Sequence, residues 1–234
     1  MLYLPCKNSF NPDISYISYE IKEENMRVVT VAQMKQIERN ADESGLSYLQ
    51  MMENAGTAAY REIRRQWPEA TCLAVVAGKG NNGGDGFVIA RLAAQEGLTV
   101  SVILAEGQPV TPDAKTNYDR LKILPITILQ LEEISQIQAD VVIDALYGTG
   151  FHGALRPSGR KACACIHHSG AHIAALDVPS GLQADTGAAA EGSIQAELTI
   201  AFDSLKQVHI TAEAAVFCGK IVLADIGIPE HCHP

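Results

Sequence analysis

Leu73-Ala-Val-Val-Ala77, then Gly78-Lys-Gly-Asn-Asn-Gly-Gly-Asp-Gly86, then Phe87-Val-Ile-Ala-Arg-Leu-Ala-Ala-Gln95 is the stretch whose reading decides the fold. The short unbroken apolar run at its start reads as a strand buried on both faces. Gly78–Gly84 reads as a loop, and Asp85–Gln95 as a helix ended by Gly97. A strand, a glycine-rich turn and a helix in that order are the opening unit of an α/β sheet.

The pattern extends on both sides of that unit. Upstream, Thr30-Val-Ala-Gln33 fits a capping box, with Met34, Ile37 and Ala41 at helical spacing and Gly45 at the stop. Ser47-Tyr-Leu-Gln50 repeats the signature, and Leu49, Met52, Ala55, Ala59 and Ile63 mark one face of a second helix that stops near Pro68. Downstream, Leu98–Leu104 is a second strand, and Thr111-Pro112 places a cap and an N1 proline before a helix over Asp113–Leu121. Further strands are expected at Ile126–Leu129, Val141–Leu146 and Ile173–Leu176, with helical segments between them, and later at Leu198–Phe202 and Ile221–Ala224. This alternation predicts one Rossmann-like α/β domain with a mostly parallel sheet and helices on both faces. Residues 1–25 carry Pro5 and Pro12 and no clear period, so they are read as an N-terminal extension: a flexible arm, or chain upstream of an internal start at Met26. The domain is then residues 26–234.

Composition narrows the function. The chain has 234 residues, with 18 Lys+Arg against 27 Asp+Glu and a formal charge of −9, which argues against a general nucleic-acid binder. With 47% hydrophobic and 19% charged residues it is globular in composition, and no apolar run approaches the about 18 residues that span a bilayer. No basic start and apolar core of a signal peptide precede the domain, and Cys6, Cys72, Cys163, Cys165, Cys218 and Cys232 are too sparse for a disulfide scaffold. A cytoplasmic protein with neither membrane nor nucleic-acid partners is expected.

Ligands of such sheets bind at the carboxyl ends of the strands, where three loops look unlike ordinary connections. Gly78–Gly86 contains a GxGxxG match at Gly78, Gly80 and Gly83, yet it packs Asn81, Asn82 and Asp85 into the same turn. A carboxylate there repels phosphate, so this is no ordinary pyrophosphate cradle; as a bland alternative, Asp85 is a helix-start acid that favours the dipole. Asp144 ends an apolar run and is followed by Tyr147-Gly-Thr-Gly150 and Phe151-His-Gly-Ala154. A buried carboxylate is costly unless paired, which makes Asp144 either a capped strand exit or a functional group. Asp177-Val-Pro-Ser-Gly181 is the third loop; Val178 stands where a nucleophile elbow needs glycine, so serine-hydrolase chemistry is weakly supported. Asn82, Asp144 and Ser180 together offer the oxygens that a hard cation prefers. Cys163-Ala-Cys165-Ile-His167-His168 offers only a pair of ligands on each helical face, and its spacing is not a zinc signature.

The loops together resemble the NAD(P)H-hydrate epimerase family, also called the YjeF N-terminal domain family, over nearly all of Val29–Pro229. Met51-Met-Glu-Asn-Ala-Gly56 resembles its LMENAG helix, Gly78–Gly86 its GxGNNGGDG loop, Asp144–Gly150 its DA(L/I)(F/L)GTG segment, and Asp177–Gly181 its D(I/V)PSG segment. Phe202–Lys206 looks like its FxxxK and Asp225–Pro229 like its DIGIP. Lys79 stands where proline is common, Tyr147 where phenylalanine or leucine is usual, and Gln207 where proline is frequent.

That resemblance implies a three-layer α/β/α Rossmann-like domain that interconverts the R and S epimers of hydrated NADH and NADPH (NADHX and NADPHX) at C6. The S form then feeds a partner dehydratase. By motif, Asn81, Asn82, Gly83, Gly84 and Asp85, then Gly148, Thr149, Gly150, Phe151, His152, Gly153 and Ala154, and Asp177 would contact substrate. Asn82, Asp144 and Ser180 would bind one potassium ion (K+), Asp144 would be the catalytic acid/base or charge stabiliser, and a homodimer is in keeping with the family. Epimerisation requires reversible C–O loss to an iminium-like centre, or reversible ring opening. The rival readings are a non-catalytic scaffold of the same fold and a nicotinamide oxidoreductase, for which Glu106 near the end of the second strand would be the acidic ribose ligand. The latter leaves the Asn-Asn pair and the PSG loop without a purpose.

Overall fold

The computed structural model describes residues 27–234, so the reading of residues 1–25 lies outside the described residues. Two helices come first, α1 (Val31–Glu43) and α2 (Tyr48–Gln66). They are followed by β1 (Cys72–Ala77), α3 (Asn81–Gln95), β2 (Thr99–Leu104), α4 (Pro112–Leu121), β3 (Ile126–Gln130) and β4 (Val141–Ala145). The chain continues through α5 (Pro157–His167), β5 (His172–Leu176), β6 (Leu198–Phe202), α6 (Gln207–Ile210), α7 (Ala215–Cys218) and β7 (Lys220–Ala224). The strands form one seven-stranded sheet in the order β3-β2-β1-β4-β5-β6-β7, with every neighbouring pair parallel.

The expected caps are made unevenly. Thr30 and Gln33 complete a reciprocal capping box at α1, whereas Ser47 accepts only from the Gln50 N–H at α2. Pro112 occupies the start of α4 as read, but Thr111 makes no capping bond. Of the helical segments expected between β3, β4 and β5, α5 forms and the first does not. The β3–β4 connection has only a 3-10 turn at Leu131–Glu133, and the β5–β6 connection runs from 177 to 197 without a helix.

Two faces of the sheet carry different layers. Leu73, Val75, Ala77, Ile143 and Leu176 face α1–α4 and pack with Ile37, Met51, Ile63, Phe87 and Leu121. Ala74, Val76, Val142 and Ala175 face the other way, onto Ala162, Cys163 and Ile166 of α5. The alternation is the two-residue period of a strand, and because both sets are buried the strands read as continuous apolar runs. This is a three-layer α/β/α arrangement. The strand order reverses between β1 and β4, which opens a crevice at their carboxyl ends.

Candidate active site

A cavity of about 690 Å³ fills that crevice, within the range of small-molecule sites. One wall is α3, which begins at Asn81, four residues before the expected start at Asp85. Asn-Asn-Gly-Gly has low helical propensity, which is why it reads as loop. Packing overrides propensity here. A Cβ on Gly83 would meet the Gly78 carbonyl oxygen at 2.1 Å, and one on Gly86 would meet Ala145 Cβ at 2.7 Å. These glycines bring α3 against β1 and β4. Of the loop's backbone, Gly80 faces open space on the cavity wall. Asp85 accordingly lies in the second turn of α3 and caps nothing.

The structure divides the candidate residues into two groups. Asn81, Asn82, Asp85, Gly148, Thr149, Gly150, Phe151, His152, Ala154 and Asp177 line the cavity. Asp144, Ser180, Gly83, Gly84 and Gly153 do not.

Asp144 is fully buried at the end of β4, behind the wall. Its Oδ1 accepts from the Ser180 hydroxyl at 2.6 Å and the Leu146 N–H at 3.3 Å, and its Oδ2 from the Ser180 N–H at 2.8 Å. Burial pushes its carboxyl up to about 6, against the opposing pull of these donors. The Ser180 hydroxyl also lies 3.3 Å from the Tyr147 carbonyl, which accepts from Asn82 Nδ2 at 2.9 Å. The structure therefore brings Asn82, Asp144 and Ser180 together around one backbone carbonyl.

Asp85 is also buried, but it faces the cavity and receives no hydrogen bond among the described residues. Burial holds its carboxyl well above the usual range, and Asp177 and Glu38 push it the same way. Asp177 follows β5 with φ 60°, a left-handed conformation unusual for a residue with a side chain. Lys206 and His209 hold it there. The buried Lys206 ammonium donates to Asp177 Oδ1 at 2.7 Å and to the Phe202 carbonyl at 2.9 Å. His209 Nδ1 accepts from the Lys206 N–H at 2.9 Å, which leaves Nε2 to donate to the Asp177 carbonyl at 2.8 Å. Burial, with the Lys206 charge, pushes the His209 imidazole down to about 4, so it is neutral at physiological pH.

Residues 48–208 match the family described as YjeF-related protein N-terminus. The chain belongs to that family. Among curated relatives, the Coxiella burnetii protein named bifunctional NAD(P)H-hydrate repair enzyme Nnr is 36% identical over 199 residues, covering 85% of this chain and 41% of its own. A Pyrobaculum aerophilum protein of the same name is 37% identical over 214 residues, covering 87% and 42%. The Pirellula staleyi protein named NAD(P)H-hydrate epimerase is 34% identical over 195 residues, covering 80% of this chain and 86% of its own. The chain thus spans about two fifths of the bifunctional relatives it matches. A solved structure of yeast YNL200c superposes with a TM-score of 0.69 at 24% identity, covering 78% of this chain and 83% of that one, and shows the same fold.

Seen with the family's motifs, the glycine that ends Met51–Gly56 serves packing. A Cβ there would meet Val88 Cβ at 2.5 Å, so α2 and α3 touch closely. The same helix puts Met51 and Met52 on the cavity wall, and α1 adds Met34 and Glu38. Sequence reading misses that wall. Helical periodicity reports which face is buried, and does not distinguish a buried face that lines a cavity from one that lines a core. It misses the role of His209 for a different reason, since a lone histidine in a short helix carries no pattern. The Cys163–His168 cluster does not converge: Cys163 is in the core while His167 and His168 are exposed. No described helix is long and apolar enough to cross a membrane.

Proposed function

We propose that this chain epimerises NADHX and NADPHX at C6 in the cytoplasm and supplies the S form to a dehydratase. The observation that carries the reading is a dinucleotide-sized cavity on whose wall a solvent-poor, unpaired carboxyl, Asp85, faces the same space as a lysine-held one, Asp177. The names of the relatives support the chemistry, and those of the bifunctional relatives support the dehydratase as functional partner.

The hydrated carbon carries a hydroxyl and the ring nitrogen. Breaking C6–O requires a proton for the leaving oxygen, and the nitrogen lone pair then forms the iminium bond. Asp85, whose carboxyl burial holds well above the usual range, gives that proton and water departs. The Asp177 carboxylate stabilises the positive ring. Water then adds from the opposite face, and the proton it releases passes through water in the cavity back to Asp85. The Gly148–Gly150 backbone and the first turn of α3, with Asn81 and Asn82, hold the nucleotide. Asp144 is here a positioning group, which orders Ser180 and the Tyr147 turn.

The groups around Asp144 are its own carboxylate, the Ser180 hydroxyl and the Tyr147 carbonyl, all oxygens, with the Asn82 side chain beside them through its Nδ2. That set suits an alkali cation, so Asn82, Asp144 and Ser180 would hold K+. When bound, K+ would supply positive charge beside the glycine turn.

Two measurements test the proposal. R-NADPHX is mixed with the protein and an S-specific dehydratase, and recovery of NADPH is followed by absorbance. Recovery faster than the spontaneous rate is expected; recovery at the spontaneous rate with K+ present returns the chain to the scaffold reading. Thermal melts in potassium against tetramethylammonium chloride check the cation, whose stabilisation is expected to vanish in Asp144→Asn.

A further inference from the structure

Lys79, Glu106, Thr111, Tyr147 and Arg156 line one corner of the cavity, and the reaction proposed above uses none of their side chains. Glu106 stands just beyond β2 at its carboxyl end, with a side chain only 7% exposed. The Tyr147 hydroxyl donates to its Oε1 at 2.7 Å, and Arg156 reaches the same oxygen at 3.2 Å. Its Oε2 has only Arg156, at 3.3 Å, among the described residues. The Arg156 side chain is 61% exposed and also lies over the Tyr147 ring, 6.0 Å from its centroid. Thr111 Oγ1 is buried on the same wall without a hydrogen-bond partner among the described residues. None of these contacts is shared with Asp177, whose side chain is held by Lys206. The corner is therefore a separate pole of the cavity, with spare acceptor capacity on Glu106 and an unpaired hydroxyl beside it.

We propose that this corner is the subsite for the adenosine ribose, and that Glu106 reads its 2′ position and favours a free diol over a 2′-phosphate. The inference rests on the nucleotide reading above. In parallel sheets of this topology the group beyond the second strand meets the ribose, and a carboxylate there accepts from the 2′- and 3′-hydroxyls. A 2′-phosphate would set two negative charges against a carboxylate that has little solvent to screen it. Arg156, which would otherwise attract the phosphate, is already neutralised by Glu106. Lys79 and Tyr147 are two of the positions at which this chain departs from its family's motifs, and the tyrosine hydroxyl is the group that anchors Glu106. The Thr111 hydroxyl is placed to bond the ribose or base.

Titration calorimetry with ADP-ribose and 2′-phospho-ADP-ribose reads this directly. The wild-type protein is expected to bind ADP-ribose about tenfold more tightly, the scale of one charge contact. Glu106→Gln leaves Arg156 without its counter-charge and Lys79 on the same wall, and is expected to remove or reverse the preference. Arg156→Gln, at an exposed side chain, is expected to widen it. A Glu106→Gln ratio within about twofold of wild type overturns the proposal. Should Glu106→Gln fail to fold, as read by its melt, an unchanged ratio in Arg156→Gln overturns it instead. Epimerisation of NADHX and NADPHX is followed in parallel. If the binding ratio shifts while neither hydrate reacts, the subsite stands and the epimerase reading falls. If both hydrates react and the ratio does not move, the subsite falls alone.

Discussion

Asp85 and Asp144 are both buried carboxyls at the carboxyl edge of the sheet, and they are buried in opposite ways. Asp144 has three donors and no cavity face; Asp85 faces the cavity and has no donor among the described residues. The donors offset part of the desolvation at Asp144, whose carboxyl rises only to about 6, while nothing offsets it at Asp85. A carboxyl that is satisfied by the fold serves the fold. One that the fold leaves unsatisfied costs stability, and such a group is retained where substrate completes it.

The contrast is broken most directly at Asp85. Asp85→Asn is expected to lower the epimerisation rate by about 10²–10⁴, the usual contribution of a placed proton donor, in the coupled dehydratase assay. The same variant should melt at or above the wild-type temperature. An Asn side chain removes the cost of a carboxyl that must stay neutral when folded. A variant that keeps full activity, or that loses several degrees of stability, removes Asp85 from the proposed role.

Lys206 tests the opposite case, a charge that the fold does pair. Lys206→Met leaves the Asp177 carboxylate without its ammonium, and the Phe202 carbonyl with only the Ser204 N–H. Breaking such a buried pair costs about 3–5 kcal/mol, readable by urea denaturation. Asp177 holds its left-handed backbone through these contacts, so activity should fall with stability. A change below about 1 kcal/mol would mean that water replaces the lysine.

Asp144→Ala is expected to be milder in stability. It strands the Ser180 and Leu146 N–H groups and leaves the Ser180 hydroxyl only its longer bond to the Tyr147 carbonyl, at about 1–3 kcal/mol. Its activity should fall through K+ and through the Tyr147 turn, so high potassium is expected to restore little. Equal denaturation midpoints for wild type and Asp144→Ala would show that those donors find other partners.

Much of this site is legible as composition and little of it as geometry. Strands such as Leu198–Phe202 are readable to the residue, because a run apolar on both faces has one stable place in an α/β fold. The Asn81–Gly84 turn reads as loop and is helix, since only the closeness of Gly78, Met52 and Ala114 makes its glycines favourable there. Both Asp85 and Asp144 stand out as acids in unlikely surroundings. Which of them meets the cavity depends on strand parity and on the start of α3, and a single sequence shows neither. Glu38 on the facing wall comes from a helix that precedes the sheet, and no local pattern ties it to the site.

His209 sharpens the comparison, because a buried imidazole and a buried carboxyl that are both kept neutral respond to acid with opposite signs. The His209 value falls from 6.5 to about 4, so above pH 6.5 it is neutral in both states and its contribution is fully present. As the pH drops toward 4, the unfolded chain gains a proton that the folded one refuses, and stability is lost by about 1–2 kcal/mol at pH 5. Asp85 behaves in reverse. At low pH it is protonated in both states, and as the pH rises past 3.8 the unfolded chain ionises first, so the folded state loses ground up to its own raised value. Urea denaturation at pH 5 and 7.5 separates the two through their variants. Relative to wild type, Asp85→Asn should gain stability as the pH is raised over this interval. His209→Gln should lose it, because the wild-type histidine then contributes most. Parallel pH profiles for the two variants would show that burial does not keep both side chains neutral.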